Sequence, residues 1–142
     1  MLFLLFQIGE EGYALPAERI VEILPLIEVR RTRDAPPEVA GSFLYRGTFV
    51  PAIDLDQLEL GRPAPVRMGT RIVVVEVPAG CEGGREQIGL IVAGATETLR
   101  CEPDAFTPFA AGPRGLVQRL ELDSLLPGGL RELFAARARE VA

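Results

Sequence analysis

Apolar residues along the chain fall mostly into short runs broken by glycine and proline. Leu2–Ile8 is one such run, and Gly9-Glu10-Glu11-Gly12 turns the chain into Tyr13-Ala14-Leu15, a β-hairpin pattern. Pro16 stands where a first helical residue would, and Ala17, Ile20, Val21 and Leu24 follow at helical spacing. That spacing predicts a short amphipathic helix stopped by Pro25. Ile27 and Val29 alternate with Glu28 and Arg30 as a half-buried strand. The stretch from Pro36 and Pro37 to Gly41 reads as a single helical turn closed by the glycine. Ser42–Arg46 and Thr48–Leu55 are two strands joined at Gly47, the second marked as an edge or a bulge by Pro51.

Leu58–Arg67, with Gly61, Pro63 and Pro65, is the clearest linker. Beyond it the pattern predicts a strand at Arg71–Val77, a wide turn through Gly80, Gly83 and Gly84, and strands at Gln87–Val92 and Thr96–Cys101. Ile72-Val73-Val74-Val75 is continuous, the mark of a strand buried on both faces. Glu102–Gly115 carries three prolines and reads as loop, Leu116–Leu122 as a last strand. The tail aligns Leu130, Leu133, Phe134, Ala138 and Val141 on one face of a helix packing back on the body. Many short strands with turn signals between them predict small barrels, divided near residues 60–68 into two similar groups of strands.

Composition changes the picture chiefly by what it excludes. The 142 residues carry 15 basic and 20 acidic side chains, a net charge of −5, and all the basic ones are Arg. With no His and no Lys, the commonest general base, the usual nitrogen metal ligand and Schiff-base or Walker-type chemistry are excluded. Ser42 and Ser124 have no His partner. An enzyme reading through Cys81 or a carboxylate pair fails for want of a base. The acidic balance argues against nucleic acid, because phosphate binding needs clustered cations. The densest basic run, Arg30, Arg31 and Arg33, is bracketed by Glu28 and Asp34 and reads as a solvated strand edge.

The remaining candidates have structural readings. Asp54 and Asp56, like Glu121 and Asp123, are paired carboxylates able in principle to do acid–base work or hold a divalent ion. Each pair ends an apolar strand just before a helical turn, so Asp54 and Asp123 are expected as helix N-caps. The glycines at 80–84 lack the Lys-Ser/Thr of a phosphate cradle. Cys81 and Cys101 match neither a zinc-site nor a redox spacing, and reduced thiols fit a cytoplasmic protein. The opening apolar run stops at Phe6, too short for a signal peptide core or a membrane span, so no direct membrane insertion is expected. No metal and no cofactor are expected.

The informative segment is Asp34–Leu55, DAPPEVAGSFLYRGTFVPAIDL. A Pro-Pro turn, a glycine, an apolar strand, Arg46-Gly47, a second strand with Pro51 and Asp54-Leu55 form a long ordered pattern. It resembles the coupling (CheW-like) domain of bacterial chemosensory systems. The flanks are similar too: Phe6–Leu15 with Ile20-Val21-Glu22-Ile23 resembles that family's opening, and Gln87–Val92 its second-half strand. Three features depart from the family pattern. Leu44 stands in place of the signature Asn, Ala93 in place of an acidic residue, and Phe106–Gly115 is shorter than the family's final hairpin. Leu2–Phe6, Phe43–Gly47 and Ala95–Leu99 are more similar to adaptors of Wsp-type surface-sensing pathways than to chemotaxis adaptors.

The resemblance implies a mainly β fold across residues 1–142: two intertwined small SH3-like β-barrels with short helices and a C-terminal helix. It implies a non-enzymatic adaptor, cytoplasmic and recruited to membrane receptor arrays. Its partners would be a methyl-accepting-type chemoreceptor and the regulatory domain of a CheA-type histidine kinase. Arg46 is then the expected receptor contact, with Glu22, Gly41, Phe43, Tyr45 and Gly47 around it. Phe43, Tyr45 and Phe49 are expected to give the guanidinium an exposed aromatic surround, the composition of an interface hot spot. The alternative is a small β-barrel regulatory or ligand-binding module of another signalling pathway. The chain starts at the first strand and ends in a helix, which is expected to leave no room for a catalytic or receiver domain.

Overall fold

The computed structural model describes residues 1–31, 33–79 and 84–125. The fold is mainly β. Strands β1 (Leu2–Ile8) and β2 (Glu11–Pro16) form the opening hairpin. A 3-10 turn, Ala17–Arg19, leads into β3 (Ile20–Pro25). Then come β4 (Val39–Tyr45), β5 (Thr48–Asp54), the short helix α1 (Leu55–Leu60), β6 (Arg71–Ala79) and β7 (Gly84–Arg100). Strands β8 (Phe109–Gly112) and β9 (Gly115–Arg119) complete the sheet, and a 3-10 turn follows at Leu122–Ser124.

The pairing order is β3-β6-β7-β1-β2-β9-β8, with β5 added parallel to β7 and β4 antiparallel to β5. Strand β7 is the hinge of this arrangement. Its first half pairs with β6 and β5, and its second half pairs with β1. Between the halves, Gly94 takes φ +62° and the β1 register shifts between Leu5 and Gln7, which bends the strand from one half to the other. Each half draws strands from both sides of residues 60–68. The described pairings leave β3, β4 and β8 with one neighbour each, so the sheet is not closed by backbone pairing.

Two-sided burial explains the continuous apolar runs. Ile72, Val73, Val74 and Val75 are at most 1% exposed. Val73, Val75 and Val77 join Leu4, Phe6, Ile53, Ile88 and Leu90 in a central core, whereas Ile72 and Val74 turn to a second core with Phe43 and Val50. Strand β1 divides likewise, with Phe3 and Leu5 in a third core beside Ala14 and Val117. Glu28, Arg30 and Arg31 are exposed as expected.

Several local expectations are corrected. Ile20–Pro25 is a strand and not a helix, with only Ala17–Arg19 helical. The apolar positions satisfied both periods, and β-branched Ile20 and Ile23 pair with β6, with Val21 at a register shift between Ile20 and Glu22. Ile27–Val29 forms no strand, although Arg30 makes an isolated two-way bridge to Ser42 at 2.8 Å in each direction. The turn after Pro36 is a single Val39 N–H to Pro36 carbonyl bond, and Gly41 lies inside β4. The segments 87–92 and 96–100 belong to one bent strand of 17 residues, which ends one residue before Cys101. The predicted loop at 102–115 contains β8, and part of the predicted linker is α1. The C-terminal helix and most of the glycine turn at 80–84, with Cys81, lie outside the described residues. No helix among the described residues is long and apolar enough to cross a membrane.

Candidate functional site

The β4–β5 hairpin has a two-residue tip, Arg46-Gly47, closed by the Tyr45–Thr48 pair. Both tip residues have positive φ, +49° for Arg46 and +81° for Gly47, as a tight turn matched to strand twist demands. Glycine meets that demand freely, whereas a left-handed backbone costs an L-residue roughly 1–2 kcal/mol. The Arg46 side chain stands 72% exposed at this tip, and its Nη2 donates to Glu22 Oε1 at 3.0 Å.

The same Glu22 oxygen accepts from Tyr45 Oη at 2.8 Å, and the Arg46 guanidinium lies 5.2 Å from the Tyr45 ring centroid, within cation–π range. Burial and the hydrogen bond to Glu22 push the Tyr45 hydroxyl above its ordinary pKa, with Arg46 opposing them. The phenol therefore stays a donor at neutral pH. Glu22 belongs to β3 and Tyr45 to β4, two strands that share no pairing. This side-chain cluster bridges the open side of that half of the sheet.

The other predicted site residues divide into surface and scaffold. Gly47 is exposed at the tip with open space around it. Gly41 is buried at φ +148°, and a Cβ there would sit 1.8 Å from the Arg30 carbonyl oxygen. It permits the Arg30–Ser42 bridge and offers no surface to a partner. Phe43 is 2% exposed, its ring pressed on Gly89, and Tyr45 is 6% exposed. The expected exposed aromatic surround is corrected for Phe43, which faces the core, and for Tyr45, whose ring meets Arg46 but is buried, while Phe49 is exposed as expected. The exposed apolar side chains beside Arg46 are Leu44 and Phe49, 59% and 64% exposed and paired across the two strands. Period-two alternation carried that signal: with Phe43 and Tyr45 inward, Leu44 must point outward.

The carboxylate pairs resolve into structural roles. Asp54 caps α1, accepting from the Asp56 and Gln57 amides at 3.0 and 3.2 Å, and also accepts from the Ala64 amide. It ties the helix start to the segment that follows the helix. Asp123 lies within the 3-10 turn and its carboxylate accepts from Arg19 at 2.5 Å, while the backbone from residue 126 that it is expected to cap lies outside the described residues. Asp56 is only 3% exposed, and its Oδ1 has no hydrogen-bond partner among the described residues. Burial and then the negative charge of Asp54 raise its pKa, against the pull of the Gly9 amide and of Arg62. Among the described residues, no three His, Cys, Asp or Glu side chains converge on a point where a metal ion would sit.

The profile of the CheW-like domain matches residues 2–120. The chain belongs to the CheW-like domain family. Relatives named Chemotaxis protein CheW come from Klebsiella aerogenes, 26% identical over 75% of this chain and 60% of the relative, and Helicobacter pylori, 33% identical over 75% and 61%. This chain thus spans about three-fifths of the length of those two relatives. A third so named, from Treponema pallidum, is 26% identical over 93% of this chain and 81% of its own length. The crystal structure of the scaffolding protein TtCheW from Thermoanaerobacter tengcongensis superposes with a TM-score of 0.76 at 20% identity. That match covers 89% of this chain and 87% of the other, and it shares the CheW-like fold.

Proposed function

We propose that this CheW-like domain is a non-enzymatic adaptor. It couples the cytoplasmic tip of a methyl-accepting-type chemoreceptor to the regulatory domain of a CheA-type histidine kinase, in the cytoplasm at membrane receptor arrays. Family membership supports the adaptor role. The observation that carries the residue assignment is the Glu22–Tyr45–Arg46 cluster at an exposed hairpin tip. A guanidinium has five N–H donors, and the bond to Glu22 uses one, so the rest remain for acceptors on a receptor helix. Fixing the Arg46 stem by a carboxylate and a ring lowers the entropy lost when a partner binds. Leu44 and Phe49 add the apolar area that a hot spot needs beside it.

In this reading β3 to β6 with the first half of β7 form one small SH3-like barrel, and β1, β2, β8 and β9 with its second half form the other. The two interlaced subdomains meet across the central core, and the connection at 60–68 joins α1 to β6 within the first. A Wsp-type surface-sensing pathway is the setting we favour, on the motifs at Leu2–Phe6 and Phe43–Gly47. Gly41 and Phe43 serve by holding the hairpin in place. Titrating the labelled domain with a receptor-tip fragment and with a kinase regulatory domain tests the assignment. Saturable binding of both at separate surfaces is expected, and binding of neither overturns it.

A further inference from the structure

Of the three strands with a single neighbour, two are guarded at their open side. Strand β3 carries Glu22 and ends at Pro25, and β4 is bridged at Ser42 by Arg30. Charge, proline and covering segments are the usual means of blocking an open edge. Strand β8, Phe109-Ala110-Ala111-Gly112, contains neither a charge nor a proline. Its turn to β9, Pro113-Arg114, is two residues long, so the Gly112–Gly115 and Ala110–Val117 pairs exchange the backbone hydrogen bonds. Phe109 and Ala111 therefore aim their N–H and C=O groups at the open side. Among the described residues, neither finds a backbone partner there.

The side chains agree with the backbone. Ala110 and Val117 are buried, whereas Phe109, Ala111 and Leu116 stand exposed on the other face, Phe109 at 44% and Leu116 at 67%. An apolar, uncharged edge with free donors and acceptors is a template for another strand. A second copy of β8 fits it by symmetry. An antiparallel register centred on Ala110 sets Phe109 opposite Ala111 of the second copy and Ala111 opposite its Phe109. Each free N–H then meets a free C=O, and each ring lies over a small alanine with no like charges opposed. Carried just past the strand ends, the same register sets Thr107 opposite Pro113 of the second copy. The Thr107 hydroxyl donates to the Asp104 carbonyl at 2.6 Å, so exposed Asp104 of each copy comes toward exposed Arg114 of the other. The strands therefore match in hydrogen bonding and in size, and their flanks match in charge.

We propose that β8 pairs with β8 of a second copy of this chain, joining the two into a two-fold dimer through one continuous sheet. A contact built on one short strand falls below the standard interface size, so the association is weak, with a Kd of roughly 10–100 µM. The dimer carries the Glu22–Tyr45–Arg46 cluster twice.

The test is analytical ultracentrifugation of the full chain from about 1 to about 500 µM, with amide hydrogen exchange at both ends of that range. A monomer–dimer equilibrium is expected. The Phe109 and Ala111 amides should gain protection at the higher concentration, whereas the Ala110 amide, bonded to β9, is protected at both. Ala111→Lys sets two like charges diagonally across the axis and should raise Kd by roughly tenfold or more, with the melting temperature of the monomer unchanged. Mixing Ala111→Lys with Ala111→Glu should restore association to about the wild-type level. Should either variant fail to fold, the wild-type concentration series decides alone. A monomer throughout, a dimer that gains its protection elsewhere, or a dimer that Ala111→Lys leaves unchanged overturns the proposal. Phe109 and Ala111 amides protected equally at both concentrations overturn it too, because another segment of the same chain then covers the edge.

Discussion

Arg46 reaches Glu22 from a backbone that an arginine adopts only at a cost. Its φ of +49° suits glycine or asparagine, yet its Nη2 lies 3.0 Å from Glu22 Oε1, the oxygen that also holds Tyr45. The pair is largely exposed, and exposed ion pairs contribute at most about 1 kcal/mol. The ion pair therefore does little more than offset the turn's strain. The net stability gained is small, and the effect of the arrangement is to fix a guanidinium in space.

Two substitutions separate the turn from the guanidinium. Arg46→Gly relieves the left-handed strain and Arg46→Ala does not, so the glycine variant should be more stable by about 1 kcal/mol in urea unfolding. Both should weaken binding of the receptor tip by roughly 2 kcal/mol, about thirtyfold, and leave kinase binding nearly unchanged. Equal losses for the two partners would make Arg46 a structural residue, and no loss for either would place the contact elsewhere.

Gly41 should behave in the opposite way. Gly41→Ala drives a Cβ to 1.8 Å from the Arg30 carbonyl oxygen at a φ of +148°. Strand β4 must shift or release its bridge to Arg30, and the loss should be about 3 kcal/mol or more. Binding of receptor and kinase should fall together, in proportion to the folded fraction in a thermal melt. A stable Gly41→Ala protein that loses only receptor binding would make this glycine part of the contact.

Much of this was legible in the sequence, and the failures share a cause. The run Ile72–Val75 announced a strand buried on both faces because it is short, continuous and β-branched, which favours a strand over a buried helix. Arg46-Gly47 announced a hairpin tip. The segment Ala17–Leu24 misled because its apolar positions fit helical spacing, and only the pairing of Ile20 and Leu24 with β6 decides between the two periods. Phe43 misled in another way: nearness to Arg46 in sequence does not mean nearness on the surface, since alternate strand residues face opposite sides. The Asp56 environment was beyond reach, because it depends on Gly9 and Arg62 arriving from two separate loops.

Asp54 carries more than a helix cap. Asp54→Ala removes the cap, worth about 1 kcal/mol, and strips the partner from the buried Ala64 amide, worth about 1–3 more. A total loss near 3 kcal/mol is expected, with Asp54→Asn intermediate because one acceptor remains. Hydrogen exchange at Ala64 should accelerate in both variants more than exchange in β6. Unchanged protection at Ala64 would show that its amide does not depend on Asp54.

Asp56 should make the stability depend on pH in the sense opposite to a salt-bridged carboxylate. Its pKa in the folded chain is raised, by burial first and then by Asp54, above the ordinary value of 3.8, with the Gly9 amide and Arg62 acting against the shift. The folded state then binds a proton that the unfolded state releases, so this group's contribution falls as pH rises from 3.8 through the folded value. At neutral pH the unpartnered Oδ1 is a net cost. Asp56→Asn replaces a like charge beside Asp54 with a neutral group. It should be more stable than the wild type by about 1 kcal/mol at pH 7. That advantage should shrink as the pH is lowered toward 3.8, because the wild-type carboxyl takes up its proton more readily in the folded chain than in the unfolded one. Urea unfolding of both proteins at pH 7 and at about pH 4.5 measures the difference, with other carboxylates cancelling between the two. A wild type that is the more stable at pH 7, or a difference that does not change with pH, would mean that the folded chain already satisfies the Asp56 charge.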